Sequence, residues 1–168
     1  AIEAYKVADI LAEEEICAAV WADWWGFKLE AYDSVRENAA MISAVENGCA
    51  IIHSDSDLGI QRLNQEAAKA MADGQKFGID ITPEQAITWI TSNPAKGMGI
   101  YDQTGSLEEG KMADVVIWSG DPFSVYAQAE HVFVDGALLY DRANPELSPR
   151  SDFELGQTGQ GPTGGAGK

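Results

Sequence analysis

With 168 residues, 45% of them hydrophobic and 23% charged, the chain has the composition of one or two small globular domains rather than of a disordered or fibrous segment. Its formal charge of −16 argues against a nucleic-acid backbone or an anionic membrane surface as partner, since both would repel it. No apolar stretch approaches the roughly 20 residues needed to cross a bilayer.

The chain opens at Ala1 without methionine and runs straight into helix-like sequence, the expected look of an internal start. Residues 2–14 carry Ile2, Tyr5, Val7, Ala8, Ile10 and Leu11 between acids, a spacing that predicts an amphipathic helix. A short apolar strand is expected over residues 16–21, followed by the aromatic loop Ala22-Asp-Trp-Trp-Gly-Phe27. Residues 29–45 read as a second helix closed by Asn47-Gly48, and residues 49–53 as a second strand. A third helix is expected over residues 60–72, ended by Asp73-Gly74. Helices alternating with short strands on short connections predict successive βα units and a parallel sheet.

Thr82-Pro-Glu-Gln85 is a helix start, with Thr82 as cap, Pro83 at the first helical position and Gln85 completing a capping box. That helix is expected to reach about Ser92, before Asn93-Pro94 breaks it. From Gly99 onward the character changes to glycines, turns and short strands. Residues 113–118 read as a strand, and Val132-Phe-Val134 and Ala137-Leu-Leu-Tyr140 flank Asp135-Gly136, a two-residue hairpin signal. Beyond Asn144 the sequence is polar, and residues 156–168 are rich in Gly, Gln and Thr, an expected flexible tail.

Only two cysteines occur, Cys17 and Cys49, each opening a predicted strand. They would lie near one another if those strands are neighbours, but the expectation is a pair of small, reduced core residues. The run Cys49-Ala-Ile-Ile-His-Ser-Asp-Ser-Asp57 ends a buried strand in two carboxylates. The carboxyl ends of parallel strands are where α/β folds place their chemistry, which makes Asp55 and Asp57 the first candidates for a site. The plain alternative is an acidic turn with Asp57 near the next helix start.

Two segments resemble the metal-dependent amidohydrolases, in particular the branch with imidazolonepropionase and prolidase-type enzymes. The first is Ile52-His-Ser-Asp55; the second is the ordered series Thr82-Pro-Glu-Gln-Ala-Ile87, Thr91-Ser-Asn-Pro-Ala-Lys96, Gly105-Ser-Leu-Glu-Glu-Gly-Lys-Met-Ala-Asp-Val-Val-Ile117 and Val134-Asp-Gly136. The resemblance implies an α/β fold made of the last βα units of a (β/α)8 TIM-type barrel followed by strands of a small β-sandwich. Residues 1–98 would be the carboxyl-terminal part of the barrel, residues 99–142 part of a composite sandwich, and residues 143–168 a polar, Gly-rich tail.

It implies that Asp55 binds a catalytic divalent metal, zinc foremost and as one or two ions, and acts as general base toward the metal's water. A zinc-type ion lowers the pKa of its water to about 7, and a neighbouring carboxylate manages the proton. Asp55 fits this role better than Asp57 because it follows the apolar run directly. His53 is then a neighbour that steadies the site, on the same face as Asp55 only if the strand stays regular there. A structural histidine is the competing reading. Trp21, Trp24 and Trp25 would face the same mouth, with Trp24 and Trp25 as candidate substrate contacts.

The parts the resemblance demands are incomplete. The family's His-x-His and bridging lysine have no counterpart, and His53 and His131 are the only histidines. A zinc-type site takes three or more protein ligands, so the other ligands are expected outside this chain and the isolated chain is expected to be inactive. The implied reaction is hydrolysis of a C–N bond in an amide, cyclic amide or dipeptide-like substrate. The expected partners are that small molecule, the missing amino-terminal segment of the same enzyme, and further copies in an oligomer, since open parallel edges and an incomplete sandwich favour association. A non-catalytic βα binding or structural module that associates with a partner chain is the other reading.

Overall fold

The structure, a computed structural model, describes residues 1–147; most of the expected polar tail lies outside the described residues. The fold is α/β. A 3-10 turn at Ala4–Val7 leads into α1 (Ala8–Glu13), β1 (Ala18–Val20), α2 (Asn38–Ser43), β2 (Ala50–Ile52) and α3 (Leu63–Phe77). α4 (Pro83–Thr88) and α5 (Ser92–Gly97) follow, and then β3 (Val115–Trp118), β4 (Ala129–Val134) and β5 (Ala137–Asp141).

β1 and β2 pair in parallel, Ala18 opposite Ala50 and Val20 opposite Ile52. These four residues are buried against the helices, so the even-numbered face of the pair is the core face. Ala19 and Ile51 point the other way, and side-chain alternation carries Cys17, Trp21, Cys49 and His53 to that second face. Small residues dominate the core: Ala39, Ala40, Ala67, Ala70 and Ala86 let the helices close tightly on the two strands, and Ile42, Ile81 and Trp89 fill the space that remains.

The expected helix over residues 29–45 is broken. A 3-10 turn at Leu29–Ala31 and α2 are separated by a loop in which the Tyr5 hydroxyl donates to the Asp33 carbonyl at 2.9 Å and Lys6 pairs with Asp33 at 2.7 Å. Asp33 and Ser34 compete locally with helical hydrogen bonding, which favours such an interruption. Asn38 is buried at the start of α2; its Oδ1 accepts from the Tyr5 N–H at 3.0 Å and its Nδ2 donates to the Ile2 carbonyl at 2.9 Å. One side chain thereby ties the first turn of the chain to the second βα unit.

α3 runs through Asp73-Gly74 instead of ending there. A Cβ on Gly74 would stand 2.3 Å from the Cβ of Ala40, so this glycine marks the close approach of α3 to α2. The helix ends at Gly78, left-handed with φ 95°, a conformation glycine adopts without steric cost. α4 starts as expected: the Thr82 side chain accepts from the Gln85 N–H at 3.3 Å, and Gln85 Oε1 accepts from the Thr82 N–H at 2.9 Å.

Asn93-Pro94 does not simply stop the chain's helical run. It lies in the first turn of α5, where the missing proline N–H has no intrahelical partner to lose. The break between α4 and α5 turns the Trp89 carbonyl toward β2, where it accepts from the Ile52 N–H at 3.0 Å. Asn93 Nδ2 donates to the Ala50 carbonyl at 2.8 Å. The edge of β2 away from β1 is therefore capped at two positions rather than bare.

Cys17 and Cys49 are joined by a disulfide, not left as reduced core residues. The parallel register places them side by side one residue before each strand, with Cα atoms 4.5 Å apart. With the bridged positions 32 apart in sequence, such a crosslink removes about 3–4 kcal/mol of unfolded-state entropy.

β3, β4 and β5 form a separate antiparallel sheet in that order. The β4–β5 hairpin turns on Asp135 and Gly136, with φ values of 50° and 77°, as a type I′ turn requires. Asp114 anchors it, accepting from the Asp135 N–H at 2.9 Å and from Thr104 Oγ1 at 2.8 Å. Those hydrogen bonds hold its carboxyl below the usual carboxylate range, the Asp135 amide contributing most. His131 lies on β4 opposite Asp141, 3.7 Å away, far in sequence from the β1–β2 mouth.

Candidate active site

β2 ends at Ile52, and the His53 N–H donates to the Val20 carbonyl at 3.1 Å as the last rung joining the two strands. Beyond it the backbone turns sharply: Asp55 sits in the left-handed region with φ 51°. For a residue other than glycine this conformation is uncommon, although aspartate and asparagine tolerate it best. The strand is thus not regular through Asp55, and alternation alone does not place its side chain.

The turn is built from its own polar groups. Ser54 is buried; its hydroxyl donates to the Ser56 carbonyl at 3.0 Å and accepts from the Ser56 N–H at 3.3 Å. The Gly59 N–H donates to Ser56 Oγ at 3.2 Å. Asp57 folds back into the loop, where its Oδ1 accepts from the Leu58 N–H at 2.9 Å and its carbonyl accepts from Gln61 Nε2 at 3.2 Å. The Asp55 carboxylate takes part in none of these bonds and is exposed. Of the two acids at the end of β2, Asp55 is the one whose carboxylate makes no hydrogen bond among the described residues, whereas one oxygen of Asp57 is engaged.

His53 lies beside an aromatic cluster. Its ring centroid is 4.9 Å from that of Trp21, which stacks on Trp24 at 5.5 Å with 15° between planes. Phe27 closes the group edge-on, 6.2 Å from Trp21 and 5.3 Å from Trp24. Desolvation is the main reason the His53 pKa is lowered, and the Asp55 carboxylate opposes it. The direction is down from an ordinary value of 6.5, which favours the neutral imidazole with a free nitrogen lone pair.

The aromatic loop is anchored at its start. Ala22 is buried, and Lys69 of α3 pairs with Asp23 and with Glu66, each at 2.7 Å. Trp24 belongs to the cluster beside His53, but Trp25 does not: it is 57% exposed and stacks on no ring among the described residues. Lys28 and Glu30 pair with each other at 3.0 Å on the far side of the loop. The Trp21–His53 contact links the two strand ends and was not legible as a pair in the sequence; the available signal was that each follows its strand by one residue.

Among the described residues no group of three or more His, Cys, Asp or Glu converges in a way that could hold a metal ion. At the β2 end the Asp55 carboxylate fits a share of a metal's coordination rather than a closed site, with His53 as a neighbour. A groove of about 740 Å³ lies elsewhere, between α4–α5 and β3, lined by residues that include Ile90, Tyr101, Leu107, Val116 and Trp118. Neither Asp55, His53 nor Trp24 lines it.

The sequence profile of the Amidohydrolase family matches residues 5–140, most of the chain. The chain belongs to the amidohydrolase family. The chain is 31% identical over 125 residues to "Amidohydrolase tasK" of Hapsidospora irregularis, a match covering 73% of this chain and 12% of that protein. It is 31% identical over 104 residues to an imidazolonepropionase of Thermoplasma volcanium, covering 58% of this chain and 25% of the relative. Among solved structures it superposes on an amidohydrolase from Thermotoga maritima with a TM-score of 0.72 and 33% identity, over 84% of this chain and 36% of that one. The chain thus spans between about a tenth and about a third of the length of these relatives.

Proposed function

We propose that the chain forms the carboxyl-terminal part of a metal-dependent amidohydrolase that hydrolyses C–N bonds of small amides, cyclic amides or dipeptide-like substrates. In this reading residues 1–98 carry the last βα units of a TIM-type barrel, and residues 99–142 contribute strands to a small β-sandwich. The observation that carries it is the position of Asp55: an exposed, unengaged carboxylate at the carboxyl end of a parallel strand, in a chain of the amidohydrolase family.

A divalent ion of the zinc type, when bound, supplies Lewis acidity and acidifies its water to a pKa of about 7. Asp55 would provide one carboxylate oxygen as ligand. The same group accepts the proton released from the attacking water and returns it to the leaving nitrogen, the role of a general base that becomes a general acid. The neutral His53 imidazole steadies the turn beside it. Trp21, Trp24 and Phe27 form an apolar wall that would restrict water at the mouth, with Trp24 and the exposed Trp25 as substrate contacts.

The remaining ligands would come from the amino-terminal portion of the enzyme, so the chain alone would neither hold metal tightly nor turn over. Two observations support this division: the chain matches only 36% of the Thermotoga structure, and its described residues gather no three-donor cluster. Metal retention is the test. After dialysis against a weak chelator, the chain alone is expected to keep far less than one zinc, whereas the chain joined to an amino-terminal barrel portion keeps at least one. Stoichiometric zinc on the chain alone would overturn the proposed division of ligands.

A further inference from the structure

Cys17 and Cys49 are the only cysteines of the chain, and neither is free. They stand at the amino ends of β1 and β2, on the face opposite the core, while Trp21 and His53 occupy the same face at the carboxyl ends. The backbone holds the pair in place independently of the sulfurs: the Ala18 N–H donates to the Cys49 carbonyl at 2.8 Å, and the His53 N–H closes the far end of the strand pair.

α5 covers the bridge. A Cβ on Gly97 would lie 3.4 Å from Cys17 Cβ, 3.9 Å from Cys17 Sγ and 2.9 Å from Ile51 Cδ1, so the helix backbone rests directly on this corner. Both cysteines are half-buried as a result. The chain has no third cysteine that could act as a resolving thiol.

We propose that Cys17–Cys49 is a permanent crosslink, a covalent modification that staples β1 to β2, and that the protein acquires it in an oxidising compartment from a disulfide donor. Each cysteine gives up its thiol proton. One thiolate attacks the donor disulfide, forming a mixed disulfide and releasing the first donor thiolate. The second thiolate attacks the cysteine sulfur of that mixed disulfide, closing the Cys17–Cys49 bond and releasing the second donor thiolate. The two electrons end on the donor's sulfurs, which take up the two protons. The staple adds a covalent tie at the amino end of a strand pair whose register the backbone already sets, and so resists separation of the two strands that carry the aromatic wall and the Asp55 turn. This inference rests on the sulfurs and their surroundings and stands whether or not the hydrolase reading does.

Thiol counting tests the bond. The full chain, exported to an oxidising compartment, is unfolded in acidic denaturant and alkylated with N-ethylmaleimide before mass measurement. No adduct is expected without prior reduction, and two after reduction with a phosphine; two adducts without reduction would overturn the proposal. Melting tests the role. Phosphine treatment of the native chain, or the double substitution Cys17→Ala with Cys49→Ala, is expected to lower Tm by roughly 10 °C. An unchanged Tm on reduction would overturn the structural role, and the reduced native chain keeps that comparison available if the double variant does not fold.

Discussion

Replacing Asp55 by Asn in the completed enzyme is expected to lower kcat by about 10²–10⁴-fold, the range typical of losing a positioned acid–base group. The substitution keeps the size of the side chain and its ability to occupy a left-handed backbone, the conformation Asp55 adopts with φ 51°. The Asp55 carboxylate takes no part in the hydrogen bonds that build its turn, which run through Ser54, Ser56 and Asp57. Thermal stability is therefore expected to change little, within about 2 °C. Asp57→Asn is the matching control. Its carboxylate serves the loop by accepting from Leu58, so the variant is expected to keep its rate within about threefold, well below one acid–base group's worth. Steady-state kinetics on both variants decide the assignment, and an Asp55→Asn enzyme with near-normal kcat would remove Asp55 from the chemistry.

The largest effect on folding is expected at Trp89. Its side chain is 1% exposed, the bulkiest of the fully buried side chains, and its indole N–H donates to Ser43 Oγ at 2.8 Å. Trp89→Ala is expected to cost about 3–5 kcal/mol, combining lost transfer energy with the cavity left among small neighbours that cannot collapse far. Alanine-rich surroundings such as Ala39, Ala40 and Ala86 offer few side chains able to swing into the gap. Against a total stability of about 5–15 kcal/mol this is a large fraction. Trp89→Phe keeps most of the volume and loses the hydrogen bond to Ser43, so a cost of about 1–2 kcal/mol is expected. Urea melts of the two variants check the ordering. A cost below about 1 kcal/mol for Trp89→Ala would mean the β2–α4 corner is not the packed core described above.

The elements that were legible from the sequence are those whose signal is local. Thr82-Pro83 with Gln85 specifies a helix start through bonds within four residues, and Asp135-Gly136 specifies a hairpin through its own positive φ values. The alternation of helix and apolar strand likewise needed no distant partner to be read. What escaped was set by tertiary contact. The helix expected over residues 29–45 breaks where Asp33 and Asn38 bond to the first turn of the chain, and Gly74 is a point of helix contact rather than a helix end.

The candidate site divides along the same line. Asp55 was identifiable as the acid that ends an apolar run, but its left-handed backbone and the bonding of Asp57 depend on how Ser54 and Ser56 fold the turn. The aromatic residues were visible as a group, yet only the parallel register of β1 and β2 brings Trp21 to His53, and only the folded loop stacks Trp24 on Trp21 and leaves Trp25 exposed. The same register joins the two cysteines, whose spacing in sequence carries no pairing information by itself.

Turnover tests the central claim most directly. With zinc supplied, a panel of small amides, cyclic amides and dipeptides would be offered to the chain alone and to the same chain joined to an amino-terminal barrel portion of an amidohydrolase. Hydrolysis of at least one substrate by the joined protein is expected, with only the uncatalysed rate for the chain alone. Catalysed hydrolysis by the chain alone, abolished by chelation, would contradict the proposed division of the site.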